Sequence, residues 1–137
     1  MTGNIEVLIH SSIMITDDRA GVIYIDPYEV KYKPEDAAII LITHDHYDHF
    51  SPEDIGKVAN PDTVMVVPEK MLGKAQEVSG MVSKIVTVKP GIFKEVRGLE
   101  LETVPAYNTL KPFHKKSAEW VGYILRSNGL RIYRRGY

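Results

Sequence analysis

The chain has 137 residues, 44% hydrophobic and 26% charged, a balance that suits one compact globular domain with a modest core and argues against disorder. Its net charge of −1, with histidine neutral, gives no global attraction to nucleic acid or to an anionic membrane. It has no cysteine, which excludes disulfides and thiolate metal sites and leaves His, Asp and Glu as the strong ligands.

The amino terminus, Met1-Thr2-Gly3-Asn4-Ile5-Glu6, lacks the basic start and apolar core of a secretory signal. No apolar run approaches membrane-spanning length, so the expectation is a cytoplasmic protein with no membrane partner. Residues Ile5 to Thr16 and Val22 to Asp26 read as two strands joined by the polar turn Asp17-Asp18-Arg19-Ala20-Gly21, an opening hairpin. The run Ala38-Ile39-Ile40-Leu41-Ile42, rich in β-branched residues, suits a strand buried on both faces. Ser51-Pro52-Glu53-Asp54 then starts a helix, with a capping serine, proline at the first helical position and an acid three residues past the cap.

Asn60-Pro61-Asp62 stops that helix, and Thr63 to Val67 is a further strand leading into Pro68. Glu69 to Val78 reads as a second helix ended by Gly80, and Lys84 to Lys89 as a short strand. Leu99 to Val104 alternates with the period of a half-exposed strand that Pro105 closes. The last pair, Val121 to Ser127 and Leu130 to Tyr133, flanks Asn128-Gly129, the strongest short hairpin signal available. Trp120 and Tyr123, aromatic residues on this hairpin, read as core rather than pocket lining. Strand–helix alternation between terminal hairpins predicts an α/β class domain built on a mixed sheet with covering helices.

Between the buried strand and the capped helix lies His44-Asp45-His46-Tyr47-Asp48-His49, three imidazoles and two carboxylates in six residues. His44 and His46 are two apart, so in extended backbone they project to one side and can share an ion, with Asp48 next in the same series. A turn at Tyr47 would let Asp48 and His49 hold a second ion, the two-metal clamp used by many hydrolases. The competing reading is a polar loop of solvated histidines, and the density of the cluster at a strand-to-helix junction counts against it.

The segment resembles the signature of the metallo-β-lactamase superfamily, and Ile25-Asp26-Pro27-Tyr28 and Trp120-Val121-Gly122-Tyr123 add local matches. It is similar in particular to the metal-dependent hydrolase branch that includes the ascorbate-phosphate lactonase. The resemblance implies a metallo-β-lactamase-like αββα sandwich of two similar halves, with the metal site in the cleft between them. This chain is expected to supply mainly the N-terminal half, as a single domain over residues 1–137, incomplete at its carboxyl end. There Arg131-Ile132-Tyr133-Arg134-Arg135-Gly136-Tyr137 stands where related sequences read Arg-Ile-Tyr-His-Ala-Gly-Asp-Thr-Asp, so Tyr137 takes the place of the metal-bridging aspartate.

The resemblance further implies that His114, or else Asn108, continues the ligand set after Pro105, and His114 is the better donor for zinc. A surface histidine beside Lys115 and Lys116 is the alternative for His114. His10 falls where related sequences carry a glycine-histidine pair; it is expected either to line the site or to pack as an ordinary strand histidine. Asp26 is expected to orient a ligating imidazole or to cap the turn before Pro27.

The expected cofactor is one or two divalent ions, zinc by default and manganese as the alternative, with one ion the safer forecast where the bridging carboxylate is missing. The expected activity is hydrolysis of an ester, lactone or phosphoester in a small-molecule substrate by metal-bound hydroxide, with Asp48 orienting or deprotonating the water. The alternative is a catalytically impaired metal-binding remnant or interaction module, in which one ion pins the loop without a complete cleft; separately, the missing half is expected to leave an apolar face of the central sheet that a homo-oligomer would cover. Nucleic-acid processing ranks third, because Arg126, Arg131, Arg134 and Arg135, the only basic concentration, read as a solvated face.

Overall fold

Two stacked β-sheets with helices on one outer side make up the described part of the protein, residues 5–7, 12–43, 50–105 and 121–134 of a computed structural model. The first sheet has six strands in the order β1 (Ile5–Val7), β2 (Ile13–Asp17), β3 (Gly21–Ile25), β4 (Ala37–Leu41), β5 (Val64–Pro68) and β6 (Lys84–Val88). Strands β1 to β3 pair antiparallel and β3 to β6 parallel, so the sheet is mixed, as the alternation predicts. The second sheet is wholly antiparallel, in the order β10 (Leu130–Arg134), β9 (Val121–Ser127), β8 (Leu99–Pro105) and β7 (Phe93–Val96).

The period of two along β4 divides the core. Ile39 and Leu41 join one cluster with Ile15, Ile23, Val66, Leu101, Tyr123 and Leu125, which fills the space between the sheets. Ile40 and Ile42 join another with Met65, Val67, Ile55, Val58, Met71 and Val78, which packs the helices on the first sheet. A strand buried on both faces must be apolar at every position, which is why this run shows no alternation. The described residues thus form three layers, helix, sheet and sheet, the αββ portion of the expected sandwich. The outer face of the second sheet mixes exposed Phe93 and Tyr133 with a row set by the strand register, Glu95, Glu100, Arg126 and Arg131.

Helix α1 (Pro52–Val58) begins as its residues dictate: Ser51 is the cap, its hydroxyl accepts the Asp54 amide, and proline opens the first turn. Asn128 and Gly129 adopt φ of 51° and 81°, which supply the two left-handed positions of the tight β9–β10 hairpin.

Three elements differ from expectation. The first 12-residue strand is two strands, since Ile5 and Val7 pair antiparallel with Ile15 and Ile13. An unbroken strand of that length would overhang the five-residue β3 by several residues, whereas folding it back adds a ladder. The predicted second helix is a short α2 (Leu72–Ala75) between 3₁₀ turns at Glu69–Met71 and Gln76–Met81. Gly73 and Gly80 weaken it, and only Met71, Ala75 and Val78 are buried along it. Strand β7 has no sequence counterpart because Phe93-Lys94-Glu95-Val96 carries little apolar signal. Its turn, Arg97-Gly98, has φ of 49° and 87°, the geometry more often signalled by Asn-Gly.

Candidate metal centre

All five histidines lie outside the described residues, so the calls on His10, His44, His46, His49 and His114, and those on Asp48 and Asn108, fall there. Among the described residues no group of three or more His, Asp or Glu is placed to hold an ion. What the structure defines is the frame from which the segments with the predicted ligands depart. Thr43 follows the carboxyl end of β4, Pro105 ends β8, Val121 opens β9 and Ser12 precedes β2. Pro105 pairs with Val121, the Val121 amide donates to the Thr43 carbonyl at 3.1 Å, and Ile13, next to Ser12, pairs with Ile25, next to Asp26. All four departure points therefore sit at one end of the stacked sheets, where ligands of open α/β sheets converge.

Asp26 is the one predicted site residue among those described. It is fully buried at the end of β3 with φ of 49°, a left-handed conformation that aspartate tolerates better than most residues. Its Oδ1 accepts the Thr43 amide at 2.9 Å and its Oδ2 accepts the Thr43 hydroxyl at 2.7 Å. Its own amide donates to the Leu41 carbonyl at 2.9 Å. Asp26 thus clamps the residue immediately before His44.

Tyr123 completes the clamp from the opposite sheet, its fully buried hydroxyl donating to the Ile42 carbonyl at 2.7 Å. Burial, and then the negative charge of Asp26, push the Tyr123 phenol well above its ordinary value of 10.0, so it stays a protonated donor. On the far side of the histidine segment the chain re-enters the core at Phe50, which is 2% exposed beneath the Lys74 ammonium. Asp54 of α1 then accepts the Val30 amide at 2.9 Å, and Lys57 donates to the Val30 carbonyl at 2.8 Å, tying the loop after Asp26 to the helix. Burial pushes the Asp54 carboxyl up. Hydrogen bonds from the Ser51 hydroxyl and the Val30 and Glu29 amides, aided by the Lys57 charge, nevertheless hold it below the usual 3.8.

The donor chemistry fits a divalent cation: imidazole and carboxylate suit zinc, manganese or iron, and no thiolate competes. At the same sheet end the Ser12 hydroxyl is buried with no hydrogen-bond partner among the described residues, an orphan of the kind that a water or ion-bound group satisfies. Sequence reasoning missed Ser12 and Thr43 and read Tyr123 only as core. The one local signal was the position of Thr43 between a buried strand and the first histidine.

Residues 4–136 match the family model of the beta-lactamase superfamily domain, and the chain belongs to that family. Among solved structures it is similar to a Parabacteroides distasonis protein provisionally described as a metal-dependent hydrolase. The identity is 33% and the TM-score 0.79, over 96% of this chain and 59% of that one. A metallo hydrolase from the archaeon Ignicoccus hospitalis shares 19% identity at a TM-score of 0.68, with coverage again 96% and 59%. CmlA, a diiron β-hydroxylase from Streptomyces venezuelae, shares 18% identity at 0.73 over 96% of this chain and 29% of its own. The last two show the fold alone. The chain spans 59% of the length of the first two relatives. No curated protein matches it. No helix among the described residues is long and apolar enough to cross a membrane.

Proposed function

We propose that this chain carries the ion-binding part of a metal-dependent hydrolase that acts on an ester, lactone or phosphoester bond of a small molecule. The observation that carries the reading is the convergence of Ser12, Asp26, Thr43, Pro105 and Val121 at one sheet end, because these residues flank every segment that bears a predicted ligand.

His44, His46 and His114 would hold the first ion, and Asp48 and His49 the second where one binds, with zinc the default and manganese the alternative. A bound divalent cation supplies Lewis acidity, which lowers the pKa of water to about 7. The Asp48 carboxylate orients the attacking water and takes up its proton. Asp26 and Thr43 keep the preceding backbone in place. The similarity to the Parabacteroides distasonis protein, provisionally described as a metal-dependent hydrolase, favours bond cleavage.

The test is the metal content of protein purified without chelator, followed by chelator-sensitive turnover of a generic ester and a phosphodiester. His46→Ala is expected to lose both the ion and turnover. Turnover that persists after metal removal would overturn the reading, and ion binding without turnover would favour a binding module.

A further inference from the structure

Leu41 is the last residue of β4, yet the next two residues are held as firmly as any in the sheet. The Ile42 amide donates to the Val66 carbonyl at 2.9 Å and the Ile42 carbonyl accepts the Tyr123 hydroxyl at 2.7 Å. The Thr43 amide and hydroxyl both go to Asp26, and the Thr43 carbonyl accepts the Val121 amide at 3.1 Å. Every backbone polar group of this dipeptide is therefore engaged, from a neighbouring strand, from β3 and from the opposing sheet. Strand ends usually fray, and this one is fixed where the histidine segment departs.

We infer that Tyr123 is a positioning residue for the metal-binding segment, its phenol and the Val121 amide fixing the Ile42 and Thr43 carbonyls from which residues 44–49 continue. The assignment rests on the metal-hydrolase reading above. A ligand set must be held to within roughly 0.5 Å to bind an ion well, and a carbonyl anchored two residues upstream removes the backbone's freedom to shift. Strand β9 contains its own control. At its other end the Ser127 hydroxyl donates to Asp17 at 2.7 Å, an equally buried tether between the sheets that leads into a turn bearing no predicted ligand.

Tyr123→Phe keeps the ring and removes only the donor, and Ser127→Ala does the same at the far end. Zinc affinity measured by chelator competition, the visible spectrum of the cobalt-loaded chain and thermal unfolding of the metal-free chain separate the roles. Y123F is expected to weaken zinc binding by about 10-fold, the lower bound for loss of an outer-shell partner, and to alter the cobalt bands. S127A is expected to change affinity by less than about twofold although its metal-free melting point falls comparably. Should Y123F fail to fold, Val121→Pro removes the companion amide at the first position of β9, where proline is tolerated, and is expected to repeat the pattern. Wild-type affinity in the variant, or an equal loss in S127A, would reduce Tyr123 to a tether of the fold. A wild-type chain that takes up no ion would instead overturn the metal reading itself, a distinct result.

Discussion

Each end of the stacked sheets is closed by a buried aspartate and a buried hydroxyl of β9, but the two ends use these groups differently. At one end Asp17 accepts the Arg19 and Ala20 amides at 2.9 and 2.7 Å and the Ser127 hydroxyl at 2.7 Å, while Asn128 accepts the Asp18 amide and donates to the Thr16 carbonyl. Two hairpin turns are thereby locked to each other and lead nowhere else. At the other end Asp26 and Tyr123 hold the Ile42–Thr43 backbone, and the chain continues into the histidine segment. The first arrangement is a structural knot. The second is a frame that spends its hydrogen bonds on the backbone leading into the candidate site. The difference shows how a sandwich can stay rigid at both ends yet leave one of them to carry candidate ligands.

The comparison can be broken most severely at the knot. Asp17→Ala removes the acceptor for two buried donors and one part-buried donor and is expected to destabilise the chain by about 3 kcal/mol, read in urea unfolding, while metal affinity per folded molecule is unchanged. A loss of affinity in that variant would mean that the two ends are coupled rather than independent.

The knot is also acid-sensitive. Burial pushes the Asp17 carboxyl up, but hydrogen bonds from the Ala20 amide, the Ser127 hydroxyl and the Arg19 and Asn128 amides bring it below the usual 3.8. A carboxyl whose pKa is depressed on folding contributes stability that is fully present above the unfolded value and is lost as pH falls through the folded one. Asp54 shifts in the same direction. The melting temperature is therefore expected to drop below pH 3.8, and Asp17→Asn is expected to flatten that drop in part. An unchanged profile in the variant would show that Asp17 carries none of it.

The smallest effect belongs to the outer face of the second sheet, which lies at neither end. Arg126 and Glu100 pair there at 3.8 Å with side chains 64% and 48% exposed. Solvent screening leaves such a pair little strength, so Arg126→Ala should change stability by less than about 0.5 kcal/mol. A larger loss in unfolding experiments would mark that face as structurally engaged.

Local physics made much of this molecule legible. The capped helix at Ser51-Pro52, the doubly buried β4, the alternation along β8 and the Asn128-Gly129 hairpin all follow from residue chemistry at short range. So does the concentration of candidate ligands in residues 44–49, which with its flanking strand and helix points to the family. What escaped was weakly patterned or non-local. Strand β7 has only Phe93 and Val96 as apolar signal, and the split of the first strand depended on the length of its partner.

The sequence by itself determined most of the elements, the class of fold and the residue types available to an ion, because periodicity, capping and turn preference act within a few residues. Only the tertiary structure decided that Asp17 meets Ser127 across 110 positions and that Tyr123 meets Ile42 across 81. Those bonds exist because two sheets stack in one register with their strand ends aligned, and no local period records that alignment. The same stacking brings Ser12, Asp26, Thr43, Pro105 and Val121 to one edge, turning separate sequence motifs into a single candidate centre.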